Sequence, residues 1–233
     1  MKRISLICSF LFMLLVSAQA QQAKYVFYFI GDGMGVNQVQ GTEMYLSELK
    51  GEIGITPLLF TQFPYATMAT TYSATNGVTD SAAAGTALAT GSKTKNGALG
   101  VTKDLTEVGS VATWAKANGY RVGVSSSVSI DRATPAAFYA PQGSRSSYYN
   151  IGLDLIEANF DFYAASDFLD PTNEKAKDGK TYENLYDLTQ KAGFTLARGY
   201  KDYLKKAKKA EKMILFQTEK ASEKDRSAIP YAI

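Results

Sequence analysis

Apolar runs of strand length and helix length alternate along the chain, separated by polar breaks that carry glycine. Tyr25 to Ile30 is an uninterrupted apolar run and predicts a buried strand, ended by a tight turn at Gly31-Asp32-Gly33-Met34-Gly35. Val36 to Leu49 predicts a helix, followed by a loop around Gly51 to Pro57. The Thr- and Ala-rich segment Ala66 to Tyr72 predicts a strand that feeds the stretch Asn76 to Ala87. There Thr79 or Asp80 can cap a helix, and the alanines from Ala82 onward favour one. Gly91 to Asp104 reads as a loop or hairpin. Val108 to Asn118 has helical spacing with Gly119 placed to end it, and Tyr120 to Ser126 is then a strand with Val122 and Val124 on one face. Pro135 suits the first turn of a short helix within Ser127 to Tyr139. Further on, Asn150 to Asn159 predicts a helix, Phe160 to Ala164 a strand and Pro171 to Lys180 an exposed loop. Thr181 to Ala192 and Lys201 to Lys212 predict helices, the second burying Tyr203, Leu204, Ala207 and Ala210, and Met213 to Gln217 predicts a strand. Trp114 is expected in the core or an interface, and Tyr148-Tyr149 in packing. The alternation predicts an α/β fold, a mainly parallel central sheet with helices on both faces.

The first twenty residues change that picture only at the amino terminus. Lys2 and Arg3, the mostly apolar Ile4 to Val16 and Ala18-Gln19-Ala20 form the pattern of a secretory signal peptide. The apolar run is shorter than the roughly 20 residues that a bilayer requires. The expected organisation is therefore a leader over 1–20 and one domain over 21–233, exported to the periplasm or secreted, with no membrane contact once the leader is removed. Cys8 lies inside the leader, so the exported chain has no thiol for a disulfide, a nucleophile or a metal. Removing Lys2 and Arg3 from 25 basic residues leaves 23 against 22 acidic ones, a net charge of +1. That balance gives no reason to expect a nucleic-acid partner, and the basic stretch Lys201 to Lys212 reads as a solvated helix face. The chain has no histidine, which removes the imidazole that zinc commonly uses.

Two stretches carry candidate chemistry. Ser81 follows Asp80 at the start of the predicted Ala-rich helix, where backbone N–H groups and the helix dipole favour negative charge. An ordinary capped core helix would have the same pattern. Asp32 is presented at the carboxyl end of the first predicted strand, where open α/β sheets place their sites.

Taken together, these motifs resemble those of the alkaline phosphatase family. The likeness runs through Thr90-Gly91-Ser92-Lys93-Thr94-Lys95-Asn96-Gly97-Ala98-Leu99-Gly100, then Arg132-Ala133-Thr134-Pro135-Ala136-Ala137 and Ser144-Arg145, in the family's order. The resemblance implies a phosphomonoester hydrolase in which Ser81 takes the phosphoryl group and Arg145 grips the phosphate, with phosphate monoesters and inorganic phosphate as ligands. It also implies Zn2+ and Mg2+ as cofactors, with Asp32 shared between a zinc and a magnesium site and Thr134 a magnesium ligand. Asp80 is expected to orient its turn and nearby cations. Arg132 stands where family members carry Asp or His, so a fixed positive charge puts the magnesium site in question and adds a candidate phosphate contact. Glu219 precedes Lys220-Ala221 rather than a Gly-Gly pair and is read as a solvated strand-end residue. The zinc ligands that the family draws from later segments have no counterpart up to Ile233. The expectation is thus an incomplete, amino-terminal part of the fold. The alternatives are a non-catalytic exported phosphate-binding protein or a truncated, inactive phosphatase, with a homodimer as a candidate assembly.

Overall fold

The computed structural model describes residues 23–229, so the expected signal peptide, with Cys8, lies outside the described residues. The chain divides into two compact units, one ending at Gln62 and one beginning at Phe63.

The first unit is built around helix α1 (Val36–Glu48) and a single 3-10 turn at Phe60–Gln62. Gly33 takes φ +71° in the turn that carries Asp32, a conformation that favours glycine, and the turn closes with Met34 N–H donating to Gly31 O at 3.2 Å. Glu43 of α1 accepts from Leu58 N–H and Thr61 Oγ1, pinning the later loop to the helix.

The second unit contains helices α2 (Ser81–Thr90) and α3 (Val111–Ala117), strand β1 (Gly123–Ser125), and helices α4 (Ala133–Ala136) and α5 (Tyr148–Ala158). Strand β2 (Phe162–Ala165), helix α6 (Leu185–Lys191), strand β3 (Phe194–Arg198), helix α7 (Gly199–Lys206), strand β4 (Lys212–Phe216) and helix α8 (Glu219–Lys224) follow. The strands form one parallel sheet in the order β1-β2-β4-β3. Parallel neighbours need a crossover, and the intervening helices provide it. Tyr163 of β2 and Ile214 and Phe216 of β4 are fully buried with Phe160, Phe168, Leu155 and Leu185. The rings of Tyr163 and Phe160 stack at 5.8 Å, and Phe168 meets Phe216 edge-on at 5.1 Å, a favourable aromatic geometry. Helix α5 ends at Asn159 in the left-handed region (φ 52°), its N–H donating to Leu155 O, which closes the turn into β2.

The α/β class and the parallel sheet agree with the sequence, but several local expectations need correction. Tyr25 to Ile30 carries no strand; Val26 and Phe29 are exposed and no described strand pairs with the run. Ala66 to Tyr72 likewise carries none, and Met68 is exposed. A strand exists only through a ladder partner, so apolar composition alone does not create one. Of the two places expected for Trp114, the core is excluded, since it stands 62% exposed on α3, and the interface is left; Leu204 faces solvent on α7. Strand β3 was hidden between two predicted helices, where Gly193 (φ 88°) makes the turn between α6 and the strand.

Candidate functional site

Asp80 is the cap that starts α2. Its backbone is extended, its Oδ1 accepts from Ala83 N–H at 2.9 Å, and its carbonyl accepts from Ala84 N–H. Ser81 is therefore the first residue of the helix, in the turn whose N–H groups carry the positive end of the dipole. The second carboxylate oxygen of Asp80 reaches outward. Oδ2 accepts from Gly97 N–H and from Arg145 Nη1, both at 3.0 Å. Arg145 is also fixed through its backbone, since its N–H donates to Gly97 O at 2.7 Å. Asn96 Nδ2 donates to Val78 O at 3.0 Å, so the loop before the helix is held from a second point.

These contacts set the electrostatics. Burial pushes the Asp80 carboxyl up, but the Ala83 and Gly97 N–H groups and the Arg145 guanidinium outweigh it and hold the group below the usual carboxylate range. Asp80 is thus an anion at neutral pH. Arg145 remains about one-third exposed (34%), with Nη1 facing Asp80. A guanidinium carries five N–H donors in a rigid fork, so the arginine can serve Asp80 and an anion together.

Small residues bring α4 alongside α2. A Cβ on Gly85 would lie 3.1 Å from Ala137 Cβ and 3.6 Å from Thr134 Cα. Ser81 is one turn earlier on the same helical face, so the element carrying Thr134 flanks the helix that begins with Ser81. Arg132 occupies the cap position of α4, and its Nε is buried without a partner among the described residues. Asp225 is held low mainly by hydrogen bonds from Ser227 Oγ and N–H, with a smaller contribution from the Arg132 charge. The second unit thus contains Asp80, Ser81, Arg132, Thr134 and Arg145, whereas Asp32 belongs to the first unit.

The donor chemistry does not fit a zinc centre. The chain has no histidine, and among the described residues no cluster of three or more His, Cys, Asp or Glu could hold a metal ion. Thr134 offers a hydroxyl oxygen, a donor type that suits Mg2+, but it stands two residues from the fixed cation Arg132 and no acidic cluster accompanies it among the described residues.

Sequence reasoning did not single out three features. Gly97 links Asp80 and Arg145 through one residue's backbone N–H and C=O. Asp131 is fully buried beside the sheet's carboxyl edge, with Oδ2 accepting from Leu169 N–H. Burial, with a smaller push from Asp167, raises it to about 6. Asp167, also buried, pairs with Arg198 Nη1 at 3.1 Å and accepts from Tyr186 OH. The Asn-Gly turn signal at 96–97 was visible in the sequence; the two buried aspartates had no local signal.

The fold and the site define a parallel α/β protein that holds a serine and an oriented arginine at a helix start. Residues 23–159 match the alkaline phosphatase family model, and the chain belongs to that family. It is 35% identical over 148 residues to the tissue-nonspecific alkaline phosphatase of Gallus gallus, covering 58% of this chain and 28% of that protein. Alkaline phosphatase 3 of Bacillus subtilis (strain 168) is 34% identical over 186 residues, or 79% of this chain and 40% of the relative. Among solved structures, the alkaline phosphatase of the Antarctic bacterium TAB5 superposes with a TM-score of 0.67 at 30% identity, covering 86% of this chain and 53% of that one. A mutant of the same enzyme has Mg bound in its M3 site. The chain spans well under two thirds of the length of these relatives.

Proposed function

We propose that the chain carries the nucleophile and phosphate clamp of a phosphomonoester hydrolase, exported by the leader at its amino terminus. The observation that carries this reading is the Asp80 carboxylate, which caps the Ser81 helix and orients Arg145 at the same time. Arg145 would pair its fork with two phosphate oxygens while the first-turn N–H groups of α2 face the same charge. Ser81 Oγ would attack phosphorus in line as the ester P–O bond breaks. Ser81 would release its hydroxyl proton to solvent as the O–P bond forms, and the alkoxide leaving group would take one from solvent and depart as the alcohol. Water would then cleave the phosphoserine to inorganic phosphate and restore the serine hydroxyl.

An unassisted serine is a weak nucleophile, and phosphate monoesters are among the slowest of esters to hydrolyse. Members of the family use Zn2+ and Mg2+, and the described residues offer no cluster to hold them. Turnover by this 233-residue chain is therefore expected to be very slow. The clamp itself is formed from side chains and backbone alone, which favours a second reading, metal-independent phosphate binding without catalysis.

Two measurements on the full chain decide between them. Hydrolysis of p-nitrophenyl phosphate that is lost in Ser81→Ala supports the hydrolase; calorimetric phosphate binding under chelation, without turnover, supports the binding protein. Absence of both overturns the proposal.

A further inference from the structure

We propose that Asn96 is a positioning residue for the phosphate clamp: with the adjoining Gly97 it holds the Asp80 carboxylate against the Arg145 guanidinium. The inference rests on the phosphate-site reading given above and assigns a role to a loop that this reading leaves unused.

The geometry is a closed circuit of short contacts. Gly97 donates its N–H to Asp80 Oδ2 at 3.0 Å and accepts Arg145 N–H on its carbonyl at 2.7 Å. One residue thereby fixes both members of the Asp80–Arg145 pair. Asn96, immediately before it, reaches across to the strand of chain that leads into Asp80, donating Nδ2–H to Val78 O at 3.0 Å. Asn96 Oδ1 is buried without a partner among the described residues, so the side chain pays a desolvation cost while making this bond. Gly97 has φ +85° and open space where a Cβ would be, so its requirement for glycine is one of backbone conformation, not of room. The Asn-Gly turn therefore acts as a rigid bracket between the loop at 78–80 and Arg145.

The bracket aligns charges. If Asn96 only stabilised the loop, its loss would lower the melting temperature and leave the surroundings of Asp80 in the folded protein unchanged. If it positions the pair, its loss moves Gly97 N–H and Arg145 away from Asp80 Oδ2.

The test is a 13C-detected titration of the Asp80 carboxyl in the full chain, assigned with Asp80→Asn, for wild type and Asn96→Ala. The expected result is a rise of the Asp80 midpoint toward the ordinary aspartate range in Asn96→Ala, with the exposed Asp104 unmoved as a control. Superimposed Asp80 curves would overturn the inference. Gly97→Ala and Gly97→Asn give an independent readout should Asn96→Ala fail to fold: asparagine tolerates the left-handed region and is expected to keep the wild-type midpoint, whereas alanine raises it. Identical midpoints in both, equal to wild type, would count against the bracket. Calorimetry with inorganic phosphate separates the inference from the reading beneath it. Asn96→Ala is expected to weaken binding by about tenfold, the loss of one well-placed charge-assisted hydrogen bond. A wild-type chain that binds no phosphate defeats the phosphate-site reading, and the carboxyl titration still decides the role of Asn96.

Discussion

Asp80→Ala offers the sharpest check on how the site is built, because one carboxylate makes three separate contacts. Losing the cap on Ala83 N–H is expected to cost about 1 kcal/mol. The Gly97 N–H loses its acceptor in a half-buried setting, which adds about 1–2 kcal/mol. The Arg145 pair is partly solvated, with side chains 34% and 24% exposed, and contributes at most about 1 kcal/mol. The sum is about 2–4 kcal/mol, or a fall in melting temperature of roughly 5–12 °C for a unit of this size. Thermal and urea unfolding followed by circular dichroism at pH 7 would measure it. The pH dependence adds a second constraint. Asp80 is held below its ordinary value when folded, so its contribution is complete above the unfolded value and is lost as pH falls through the folded one. The gap between wild type and Asp80→Ala should therefore narrow below about pH 4. A variant that melts within about 1 °C of wild type at pH 7 would refute the reasoning, since it requires more than one of the three contacts to be idle.

Two further predictions concern the scaffold. A Cβ on Gly152 of α5 would lie 2.3 Å from Cδ1 of the fully buried Leu185, so Gly152→Ala should destabilise by about 1–2 kcal/mol despite better helix propensity; urea midpoints would check it, and Leu185→Ala in the same chain should remove the clash. Asp131 has the opposite sign to Asp80. Its folded value, raised to about 6, lies above the ordinary one, so stability is lost as pH rises between about 4 and 7. Asp131→Asn, whose amide oxygen can still accept from Leu169 N–H, should match wild type near pH 4 and exceed it at pH 8 in urea unfolding. An unchanged difference across that range would refute the assignment.

The fold was readable where the signal is local. The α2 cap needs only an acceptor side chain before a run of helix formers, and Asp80 followed by Ser81-Ala82-Ala83-Ala84 provides both within one turn. The end of α3 near Gly119 (φ 81°) and the short helix around Pro135 were legible for the same reason. Strands were harder. Met213 to Gln217 was close to the observed Lys212–Phe216 because both faces of that strand are covered, leaving a compact apolar run. Tyr25 to Ile30 has an equally strong run and forms no ladder among the described residues, since pairing depends on which chain segment lies beside it. Phe194–Arg198 went unseen because it interleaves polar Thr195 and Arg198 with its apolar residues and lies between two helices, with nothing in its own pattern to announce the neighbour β4.

The site divides in the same way. Ser81 and Asp80 are adjacent in sequence, so their relation at a helix start follows from capping alone. The contact between Asp80 and Arg145 spans 65 residues and depends on Gly97, whose side chain is a hydrogen atom and whose role is entirely in its backbone. A residue-type argument cannot find such a group, because the donor and acceptor it offers are common to nearly every residue. What the sequence does show is the permission for it: Asn-Gly allows the left-handed turn at 97 that points one N–H at the carboxylate and one carbonyl at the arginine. Arg132 is the converse case. Its charge is obvious in the sequence, yet its effect depends on burial, since an Nε that finds no partner among the described residues is a property of the packed loop. A cation placed two residues before Thr134 raises the cost of bringing a divalent ion to the same helix, and the acidic Asp131 and Asp225 beside it work in the opposite sense, so the balance is set by the packing of the loop and not by the sequence of the motif.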